Sequence, residues 1–439
     1  MSLDSYFKGK RITVMGLGLL GRGVGDARFL AEKGAELIVT DLKDADQLAS
    51  SVSELSGFPN VSFVLGEHRL EDFKDRDFIL KAAGVPLDSP YIEEAKKNGI
   101  PVKMSASWFM ELADVPVTGV TGTRGKSTTT HMIHAILKEA GWDVLLGGNV
   151  RGVSTLALLD EVKDESIALF ELDSWQLQGF GDEKLSPDVA VFTTFLTDHM
   201  NYYHGDMDAY LADKANIFLN QDATDTLVLG SQCADLIQEA YGDRIQAHVV
   251  VTGAHDFRSD WALPVPGEHN RYDAALAVEA ARALEVPDEV IERALASFAG
   301  VPGRLEKVAT KDGIDFYNDT TATTPDATIA ALEALALEKK PTVLIMGGAD
   351  KGLDTGALMT LLKDRTKHVT LLAGSGTDRI KDELGDVLVA SSMEEAVADA
   401  RAHAVEGDAV LLSPAFASFG MFKNEYDRGD AFVRAVETV

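Results

Sequence analysis

The stretch Val117-Thr-Gly-Val-Thr-Gly-Thr-Arg-Gly-Lys-Ser-Thr-Thr-Thr130 joins an apolar strand pattern to a glycine-rich loop and then to a helical pattern that runs to Leu137. A loop of small residues lets backbone N–H groups converge on phosphate oxygens, and the N-terminus of the following helix adds a positive dipole. Lys126 can reach terminal phosphates, and the hydroxyl of Ser127 can hold Mg²⁺. The stretch therefore predicts a nucleoside triphosphate site.

This loop departs from the consensus G-x-x-x-x-G-K-[ST] at its first glycine. Val120 stands at that position, and Gly119 and Gly122 lie on either side of it. A glycine-rich turn beside a solvated lysine would have a similar sequence. The strand pattern before the loop and the helix pattern after it favour the phosphate site.

Length and composition indicate a globular protein of several domains. A chain of 439 residues with 46% apolar and 25% charged residues is too long for one ordinary core, so we expect two or three domains. No window approaches 18 uninterrupted apolar residues, and the N-terminal residues lack the pattern of a secretory signal. Cys233 is the only cysteine, which excludes an intrachain disulfide and predicts a small buried side chain in a cytoplasmic protein.

The formal net charge of −29 argues against broad binding to nucleic acid, which requires a basic surface. Neither nucleic acid nor a membrane is therefore expected as a partner. A site for anionic ligands must be built from local lysines, arginines and helix N-termini. The sequence leaves open whether the acidity reflects solubility or a salty habitat.

A second glycine-rich motif lies near the N-terminus. Arg11–Met15 has a buried-strand pattern and is followed by Gly16-Leu-Gly-Leu-Leu-Gly21, a helical pattern and a second strand at Glu36–Thr40. Asp41 stands 20 positions after the last glycine. This combination is the fingerprint of a Rossmann βαβ unit. A nicotinamide-dependent oxidoreductase is one interpretation, but it would leave the second glycine-rich loop unexplained.

Strand and helix patterns alternate along the rest of the chain, which predicts parallel sheets throughout. A helix is predicted from Tyr272 to Leu284, after a break at Val265-Pro-Gly-Glu-His-Asn270. We expect an α/β protein of three domains. They are a Rossmann-like N-terminal domain over residues 1–104, a central P-loop ATPase-like domain with a parallel sheet over 105–300, and a Rossmann-like C-terminal domain over 301–439.

Polar residues with metal-binding chemistry follow two predicted strands of the central domain. Glu171 ends one strand pattern, and Thr197-Asp-His199 comes after the next. Lys214 lies fifteen residues beyond His199 in a helical pattern. Ligands of open α/β sheets bind at the carboxyl ends of the strands, and a carboxylate there could complete the shell of Mg²⁺. Taken singly, a histidine after a strand is more often a structural hydrogen-bonding residue, and a helix lysine is usually solvated.

Taken together and in this order, the motifs resemble the Mur ligase family, ATP-dependent amide-forming enzymes of peptidoglycan precursor synthesis. The resemblance covers nearly the whole chain. It rests on Thr121-Gly-Thr-Arg-Gly-Lys-Ser127, Gly147-Gly-Asn149, Glu171-Leu-Asp-Ser-Trp-Gln176, Asp198-His199, Gly267-Glu-His-Asn270, Arg304-Leu-Glu306, Asn318-Asp-Thr-Thr-Ala-Thr323, Gly347-Gly-Ala-Asp-Lys-Gly352, Ser413-Pro-Ala-Phe-Ala-Ser-Phe419 and Phe422-Lys-Asn424. The last four segments are similar to those of the glutamate-adding branch of the family.

The resemblance implies a ligase that uses ATP to convert the carboxylate of UDP-N-acetylmuramoyl-L-alanine to an acyl phosphate, which the amine of D-glutamate then attacks. It also implies a cytoplasmic enzyme, expected to act as a monomer, with two Mg²⁺ sites formed by Ser127, Glu171, His199 and a carbamylated Lys214. The implied catalytic residues are Lys126, His199, Lys214 and Lys351. The implied ATP-binding residues are Thr121, Gly122, Thr123, Gly125, Lys126, Ser127, Thr128, Asn270, Arg304 and Asp319.

For the other substrates the resemblance implies two further groups of residues. The nucleotide sugar, held through uridine diphosphate rather than NAD, is assigned to Leu19, Asp41, Asn149 and Gln176. The amino acid is assigned to Thr323, Lys351, Ser418 and Phe419.

Several positions depart from the family pattern, and three of them bear on the substrates. Thr321 replaces a site lysine, and loss of such a charge-assisted contact costs about 1.5–3 kcal/mol. Glu425 replaces a phenylalanine, and Asp273 replaces an asparagine near the expected nucleotide, which is unfavourable unless the carboxylate pairs locally. The first two leave open a divergent ligase for another amino acid such as L-glutamate. A non-catalytic nucleotide-binding protein of the same ancestry is a further alternative, which the presence of Lys126 and Lys214 argues against.

Overall fold

The structure of the chain, a computed structural model, describes residues 3–18, 21–86, 88–385 and 387–439. Two compact units can be distinguished. One comprises Met1–Asp256 with Asp273–Ala294, and the other comprises Phe257–Tyr272 with Leu295–Val439. The boundaries 104 and 300 expected between three domains remain predictions, but the chain does form three separate β-sheets.

The first sheet is wholly parallel, with the order β3-β2-β1-β4-β5. Its strands are β1 (Arg11–Met15), β2 (Glu36–Asp41), β3 (Val61–Leu65), β4 (Phe78–Lys81) and β5 (Val102–Lys103). Its helices are α1 (Leu3–Phe7), α2 (Arg22–Glu32), α3 (Ala49–Leu55), α4 (Pro90–Lys97) and α5 (Ser105–Leu112). The predicted βαβ unit around the first glycine-rich motif is confirmed.

The second sheet is also parallel, with the order β11-β10-β9-β6-β8-β7. Its strands are β6 (Val117–Thr121), β7 (Asp143–Gly148), β8 (Ser166–Glu171), β9 (Val189–Phe192), β10 (Thr226–Gly230) and β11 (His248–Thr252). The helices of this part of the chain are α6 (Lys126–Glu139), α7 (Ser174–Glu183), α8 (Met200–Tyr203), α9 (Met207–Ala215), α10 (Ala234–Tyr241), α11 (Glu268–Ala283) and α12 (Asp288–Ala296).

The third sheet has the order β12-β13-β17-β14-β15-β16 and forms the centre of the second compact unit. Its strands are β12 (Glu306–Lys311), β13 (Ile314–Asn318), β14 (Thr342–Gly347), β15 (Thr366–Leu372), β16 (Val389–Ala390) and β17 (Ala409–Leu412). Its helices are α13 (Pro325–Leu337), α14 (Gly356–Arg365), α15 (Ser375–Leu384), α16 (Met393–His403) and α17 (Glu425–Thr438).

Two details of the sequence prediction are wrong. The third sheet is not wholly parallel, because β12 and β13 form an antiparallel hairpin. They are joined by Asp312 and Gly313, both with positive φ, as a two-residue hairpin turn requires. In addition, α11 begins at Glu268 rather than Tyr272, directly after Gly267 with φ +102°. The carboxylate of Glu268 favours this start because it lies in the first turn, at the positive end of the helix dipole.

An extended apolar core packs the first two sheets within one unit. Phe7 lies edge-on to Phe29 and to Trp108, with ring centroids 5.6 and 5.2 Å apart. Cys233 belongs to this core and is buried, as predicted, and burial raises the pKa of its thiol to about 12. None of the helices in the described residues is long and apolar enough to span a membrane.

Candidate active site

Strand register brings the glycine-rich loop after β6 beside the end of β8. β6 pairs with β8 on one side and β9 on the other, so Val120 lies opposite Glu171 and Thr121 lies opposite Phe192. The segments that leave these strands in the carboxyl direction therefore meet at one edge of the second sheet. This edge carries the loop, Glu171 and the chain that leads to His199.

The loop is held in a conformation that side chains would obstruct. Gly122 and Gly125 have φ of +139° and +86°, and a Cβ at Gly122 would lie 2.9 Å from the backbone nitrogen of Thr194. Thr194 fixes the loop in return, because its carbonyl accepts from the N–H of Thr123 at 2.7 Å and its hydroxyl from the N–H of Arg124 at 2.9 Å. Glycine is therefore required for the close approach of loop and sheet.

The side chain of Lys126 folds over the loop that precedes it. Its Nζ donates to the carbonyls of Gly122 at 3.0 Å and Thr123 at 3.1 Å. Ser127 follows at the start of α6 and is buried, and Thr128 is partly exposed. The loop and the helix N-terminus thus carry the cation and the hydroxyl that the sequence predicted for a phosphate site.

Lys214 on α9 reaches the same loop and shares one carbonyl acceptor with Lys126. Its Nζ donates to the carbonyl of Gly122 at 2.7 Å and to the hydroxyl of Thr121 at 3.4 Å, and it lies 4.9 Å from the ring centre of Tyr210. The residue is 1% exposed. Burial lowers the pKa of Lys214 well below its ordinary value, and the nearby charge of Lys126 acts in the same direction.

His199 lies between β9 and α8 with a positive φ of +55°. Its ring is 4.9 Å from the ring of Trp175. Burial lowers the pKa of the His199 imidazole, and the nearby charges of Lys126 and Lys214 lower it further, whereas the charge of Asp198 raises it.

Asp198 forms an ion pair with Arg124 of the loop at 2.8 Å. Burial disfavours the negative charge of Asp198. The charges of His199 and Arg124 outweigh burial and lower the pKa of the Asp198 carboxyl group.

Glu171 is a buried carboxylate whose negative charge is stabilised by few hydrogen bonds. Among the described residues its side chain accepts one hydrogen bond, from the amide of Asn149 at 3.1 Å. The amide oxygen of Asn149 accepts in turn from Arg22 at 2.5 Å. A buried carboxylate with a single neutral donor is suited to binding a cation.

A cavity of about 190 Å³ lies at the carboxyl edge of the first sheet, within the same compact unit. The loop after β1 lines it with Gly16, Leu17 and Gly18, and the chain after β4 lines it with Ala82, Ala83 and Gly84. Gln176 from α7 also contributes. The side-chain oxygen of Gln176 accepts from the N–H of Asp173 at 3.1 Å, which fixes the residue in the first turn of the helix.

Asp41 lies beside this cavity, but its carboxylate is engaged by the protein. One oxygen accepts from the N–H groups of Leu17 at 2.9 Å and Gly18 at 3.2 Å, and the other accepts from the N–H of Lys43 at 2.9 Å. Asp41 therefore holds the first glycine-rich loop in place. Leu19, the other loop residue that the sequence singled out, lies outside the described residues.

The sequence interpretation missed two cations of this cavity. Arg22 directly follows the first glycine-rich loop, where an arginine at the start of a helix is a signal for an anionic ligand. Lys81 ends β4 and is fully buried, with Nζ donating to the carbonyl of Val85 at 2.5 Å. A lysine at the end of the apolar run Phe78–Lys81 is an anomaly that could have been noticed. Burial lowers the pKa of Lys81 to about 8.

In the second unit, the carboxyl edge of the third sheet brings Lys351 and Thr323 together. Nζ of Lys351 donates to the hydroxyl of Thr323 at 2.9 Å. Ser418 is buried after β17, whereas Phe419 is exposed. The expected amino-acid residues thus occupy segments that follow β13, β14 and β17.

Asp319 is buried at the same edge, where its two oxygens accept from the N–H of Leu305 at 3.0 Å and the hydroxyl of Ser413 at 2.7 Å. Burial raises the pKa of Asp319 to about 7. Asn270 is buried in the first turn of α11, and its amide donates to the carbonyl of Pro266 at 2.5 Å. Arg304 is exposed, just before β12.

The unusual Thr321 and Glu425 lie near a buried arginine. Arg428 donates to the carbonyls of Thr320 at 2.8 Å and Phe416 at 3.1 Å. Burial lowers its pKa to about 10, which the charge of Glu425 opposes. The hydroxyl of Thr321 donates to the carbonyl of Gly303 at 3.0 Å. A neutral hydroxyl does not supply the positive charge of the lysine that it replaces.

Asp273 is buried in α11 with its carboxylate against Gly125, where a Cβ would overlap Oδ1. The third unusual residue is therefore packed onto the phosphate loop itself. It places a negative charge next to a segment that otherwise presents Lys126.

Family models match three parts of the chain. They are the Mur ligase MurD-like N-terminal domain over residues 10–104, the Mur ligase middle domain over 120–263, and the Mur ligase glutamate ligase domain over 303–416. The chain belongs to the Mur ligase family.

Among individual relatives, the chain is 38% identical to the UDP-N-acetylmuramoylalanine–D-glutamate ligase of Roseiflexus sp. (strain RS-1), over 98% of this chain and 99% of the relative. It is 33% identical to the enzyme of the same name from Borreliella burgdorferi (strain ATCC 35210), over the full length of both.

Two solved structures share the fold. The UDP-N-acetylmuramate-alanine ligase MurC of Thermotoga maritima has a TM-score of 0.64 at 19% identity, covering 98% of this chain and 99% of its own. The MurF ligase of the same organism, solved in complex with ADP, has a TM-score of 0.61 at 17% identity, covering 99% and 97%.

Proposed function

We propose that this chain is an ATP-dependent ligase that adds D-glutamate to UDP-N-acetylmuramoyl-L-alanine in peptidoglycan precursor synthesis. The observation that carries the proposal is full-length similarity at 33–38% identity to relatives named for this activity. The glycine-rich loop with Lys126 and Lys214 at its carbonyls supports the ATP-dependent chemistry.

The reaction requires activation because a carboxylate does not react with an amine. An oxygen of the L-alanine carboxylate attacks the γ-phosphorus of ATP, the bond from γ-phosphorus to the bridging oxygen breaks, and ADP leaves. The amine of D-glutamate then attacks the acyl carbon of the resulting acyl phosphate. Phosphate leaves, the nitrogen loses a proton, and an amide remains.

In this proposal the loop after β6 holds the triphosphate. Negative charge spreads over the phosphoryl oxygens during transfer, and a cation placed in advance lowers that barrier. Lys126 is the candidate for this role because its ammonium lies on the loop at Gly122 and Thr123. The N-terminus of α6 adds backbone N–H groups and its dipole.

Glu171 and Lys214 fit the two Mg²⁺ sites that the family resemblance implies. Glu171 is a buried carboxylate with one neutral donor. Lys214 is buried, and the described residues place no carboxylate in ion-pair contact with it. A neutral amine in such a place can add to CO₂, losing a proton and forming an N-carboxylate, which is a hard oxygen ligand. Mg²⁺ bound by Ser127, Glu171, His199 and this carbamate would neutralise charge on the phosphoryl oxygens.

The cavity at the first sheet is the proposed site of the nucleotide sugar. Arg22 supplies a cation there and Gln176 supplies an amide group, while the amide oxygen of Asn149 accepts from Arg22. Asp41 acts by holding the loop at Leu17 and Gly18, since its carboxylate is already engaged.

The third sheet is the proposed site of the amino acid. Lys351, Thr323, Ser418 and Phe419 are the candidate residues, and the ammonium of Lys351 suits a carboxylate of glutamate. For the nucleoside part of ATP the candidates are Asn270, Arg304 and Asp319.

We propose that the protein is a monomer in the cytoplasm. The cytoplasmic location is consistent with a single buried cysteine.

Addition of L-glutamate is the second candidate function, which the relatives named for D-glutamate addition do not favour. It is motivated by Thr321, which offers no charge, and by Glu425, whose carboxylate lies near Arg428. Either change could alter the recognition of the carboxylates of the amino acid.

The decisive experiment measures phosphate release from ATP with UDP-N-acetylmuramoyl-L-alanine and a panel of amino acids, and identifies the product by mass. We expect release to depend on D-glutamate. Stimulation by L-glutamate instead would replace the proposal with the second candidate. The absence of release with every amino acid, from protein that binds ATP, would refute both.

A further inference from the structure

Two histidines and one aspartate meet on the second compact unit, on elements that the proposed reaction does not use. His368 lies on β15, and Asp399 and His403 lie on α16. Asp399 and His403 are four residues apart and share one helix face. In the described part of the chain these residues form a group whose potential ligand atoms all lie within 4.8 Å of one another.

The distances are close to those of a metal site. Metal ions such as Zn²⁺ take histidine nitrogen and carboxylate oxygen at about 2.0–2.2 Å, so two ligands of a tetrahedral ion lie about 3.4 Å apart. Nε2 of His368 lies 2.9 Å from one carboxylate oxygen of Asp399, and Nδ1 of His403 lies 3.6 Å from the other. Rotation of one side chain is therefore enough to bring the three ligands around one ion.

The aspartate is also oriented in the way that metal ligands are. The hydroxyl of Thr370 donates to Oδ2 of Asp399 at 2.6 Å. Thr370 lies two residues after His368 on the same strand, so both side chains project from one face of the sheet. Hydrogen bonds from such neighbours fix the direction of a ligating carboxylate.

We propose that His368, Asp399 and His403 form a surface site for a transition-metal cation of the Zn²⁺ or Ni²⁺ type. Two imidazoles and one carboxylate select such ions over Mg²⁺ and Ca²⁺, which prefer oxygen ligands. The remaining positions of the ion are open to water. The site joins β15 to α16, so the bound ion acts as a cross-link within the C-terminal part of the chain.

One side chain has to rotate for the site to form. The two imidazole rings are stacked, with centroids 3.6 Å apart and planes 8° from parallel, so their nitrogen lone pairs lie in separate, nearly parallel planes and do not converge on one point. His403 is 47% exposed and therefore has room to rotate. The rotation breaks the 2.9 Å contact between Nδ1 of His403 and the carbonyl of Asp399. The metal bond replaces that contact.

The test uses full-length protein without a histidine tag, freed of metal with a chelator. Titration calorimetry with ZnCl₂ is compared among the wild type, His368→Ala, Asp399→Asn, His403→Ala and His255→Ala. His255 is the matched control, because it is an exposed histidine 3.5 Å from the carboxylate of Asp256, and the described residues place no third ligand with this pair. We expect each of the three site variants to lose one equivalent of Zn²⁺, or to bind it at least about tenfold more weakly, and His255→Ala to match the wild type.

Two further readouts separate metal binding from a change in folding. Co²⁺ should give visible absorption bands that disappear in His403→Ala, and ZnCl₂ should raise the melting temperature of the wild type more than that of the variant. His403→Ala without metal should unfold at the same temperature as the wild type, because the side chain is half exposed. Unchanged Zn²⁺ stoichiometry and affinity in His403→Ala and His368→Ala would overturn the proposal.

Discussion

The glycine-rich loops after β1 and β6 have similar sequences but opposite electrostatic partners. In the first loop, the carboxylate of Asp41 accepts from the N–H groups of Leu17 and Gly18. In the second loop, the side-chain nitrogens of Lys126 and Lys214 donate to the carbonyl of Gly122. One loop has its N–H donors occupied by a carboxylate, and the other has a carbonyl acceptor occupied by two lysine nitrogens.

Glycine spacing therefore predicts where backbone can approach a ligand, but the charge of the ligand depends on which backbone groups the protein itself has already used. In the first loop, Leu17 and Gly18 give their N–H groups to Asp41, so an anion bound in that cavity would be recognised through the cationic side chains of Arg22 and Lys81. In the second loop, we propose that Lys126 serves the triphosphate as a cation and that Lys214 serves it through a bound metal ion. The predictions below test this contrast.

The largest effect is expected at the second loop. Lys126→Ala removes the ammonium that lies at the carbonyls of Gly122 and Thr123, and we expect kcat/KM for ATP to fall about 10³-fold. Lys138→Ala, an exposed lysine on the same helix, is the control and should retain full activity. A loss of less than tenfold in Lys126→Ala would place the phosphate site elsewhere.

Lys214→Ala should lower kcat about 10²-fold, because it removes the proposed carbamate that holds a metal ion. Bicarbonate or a short carboxylic acid should restore part of the activity by supplying a carboxylate in the vacated space. The same additives should not restore Lys126→Ala, which lacks a cation. Full activity of Lys214→Ala without additives would rule out the carbamate.

At the first loop the effect should be smaller and of a different kind. Asp41→Asn weakens two charge-assisted hydrogen bonds to the loop, so KM for the nucleotide sugar should rise about tenfold while kcat changes little. Asp44→Asn, an exposed acid three residues away, is the control. A lower KM in Asp41→Asn would indicate instead that the carboxylate repels the substrate.

The smallest effect concerns Lys81, the buried lysine beside the first loop. Its pKa of about 8 lies below that of the unfolded chain, near 10.5, so above pH 8 the unfolded state binds more protons than the folded state. The free energy of unfolding should therefore gain about 1 kcal/mol from this group between pH 8 and 9. Urea unfolding of the wild type and of Lys81→Met at pH 8 and at pH 9 measures this gain. An equal change in the free energy of unfolding of the two proteins would contradict the prediction.

The sequence sufficed for features that depend on local pattern. The strands β1 and β6, the loops that follow them and the position of Lys126 were all predictable, because alternating apolar runs and glycine clusters are local signals. The hairpin at Asp312-Gly313 also had a local signal, but the surrounding strand–helix alternation outweighed it.

Other features depend on contacts that local patterns do not encode. Arg22 and Asn149 are 127 residues apart, and their hydrogen bond arises only because both lie at carboxyl edges of sheets in one compact unit. The partners of Asp41 and the packing of Asp273 against Gly125 likewise depend on tertiary structure. Sequence patterns indicated Asn149, Asp41 and Asp273, but neither Arg22 nor the groups that neutralise or oppose the charges of these residues.

The burial of Cys233 has a practical consequence. With a pKa of about 12, its thiol supplies almost no thiolate at neutral pH, and thiolate is the form that reacts with maleimides and oxidants. Because the chain has no other cysteine, a new one introduced at an exposed position becomes a unique attachment point for a fluorophore or spin label. Probes of motion during turnover can thus be placed without first removing a native thiol.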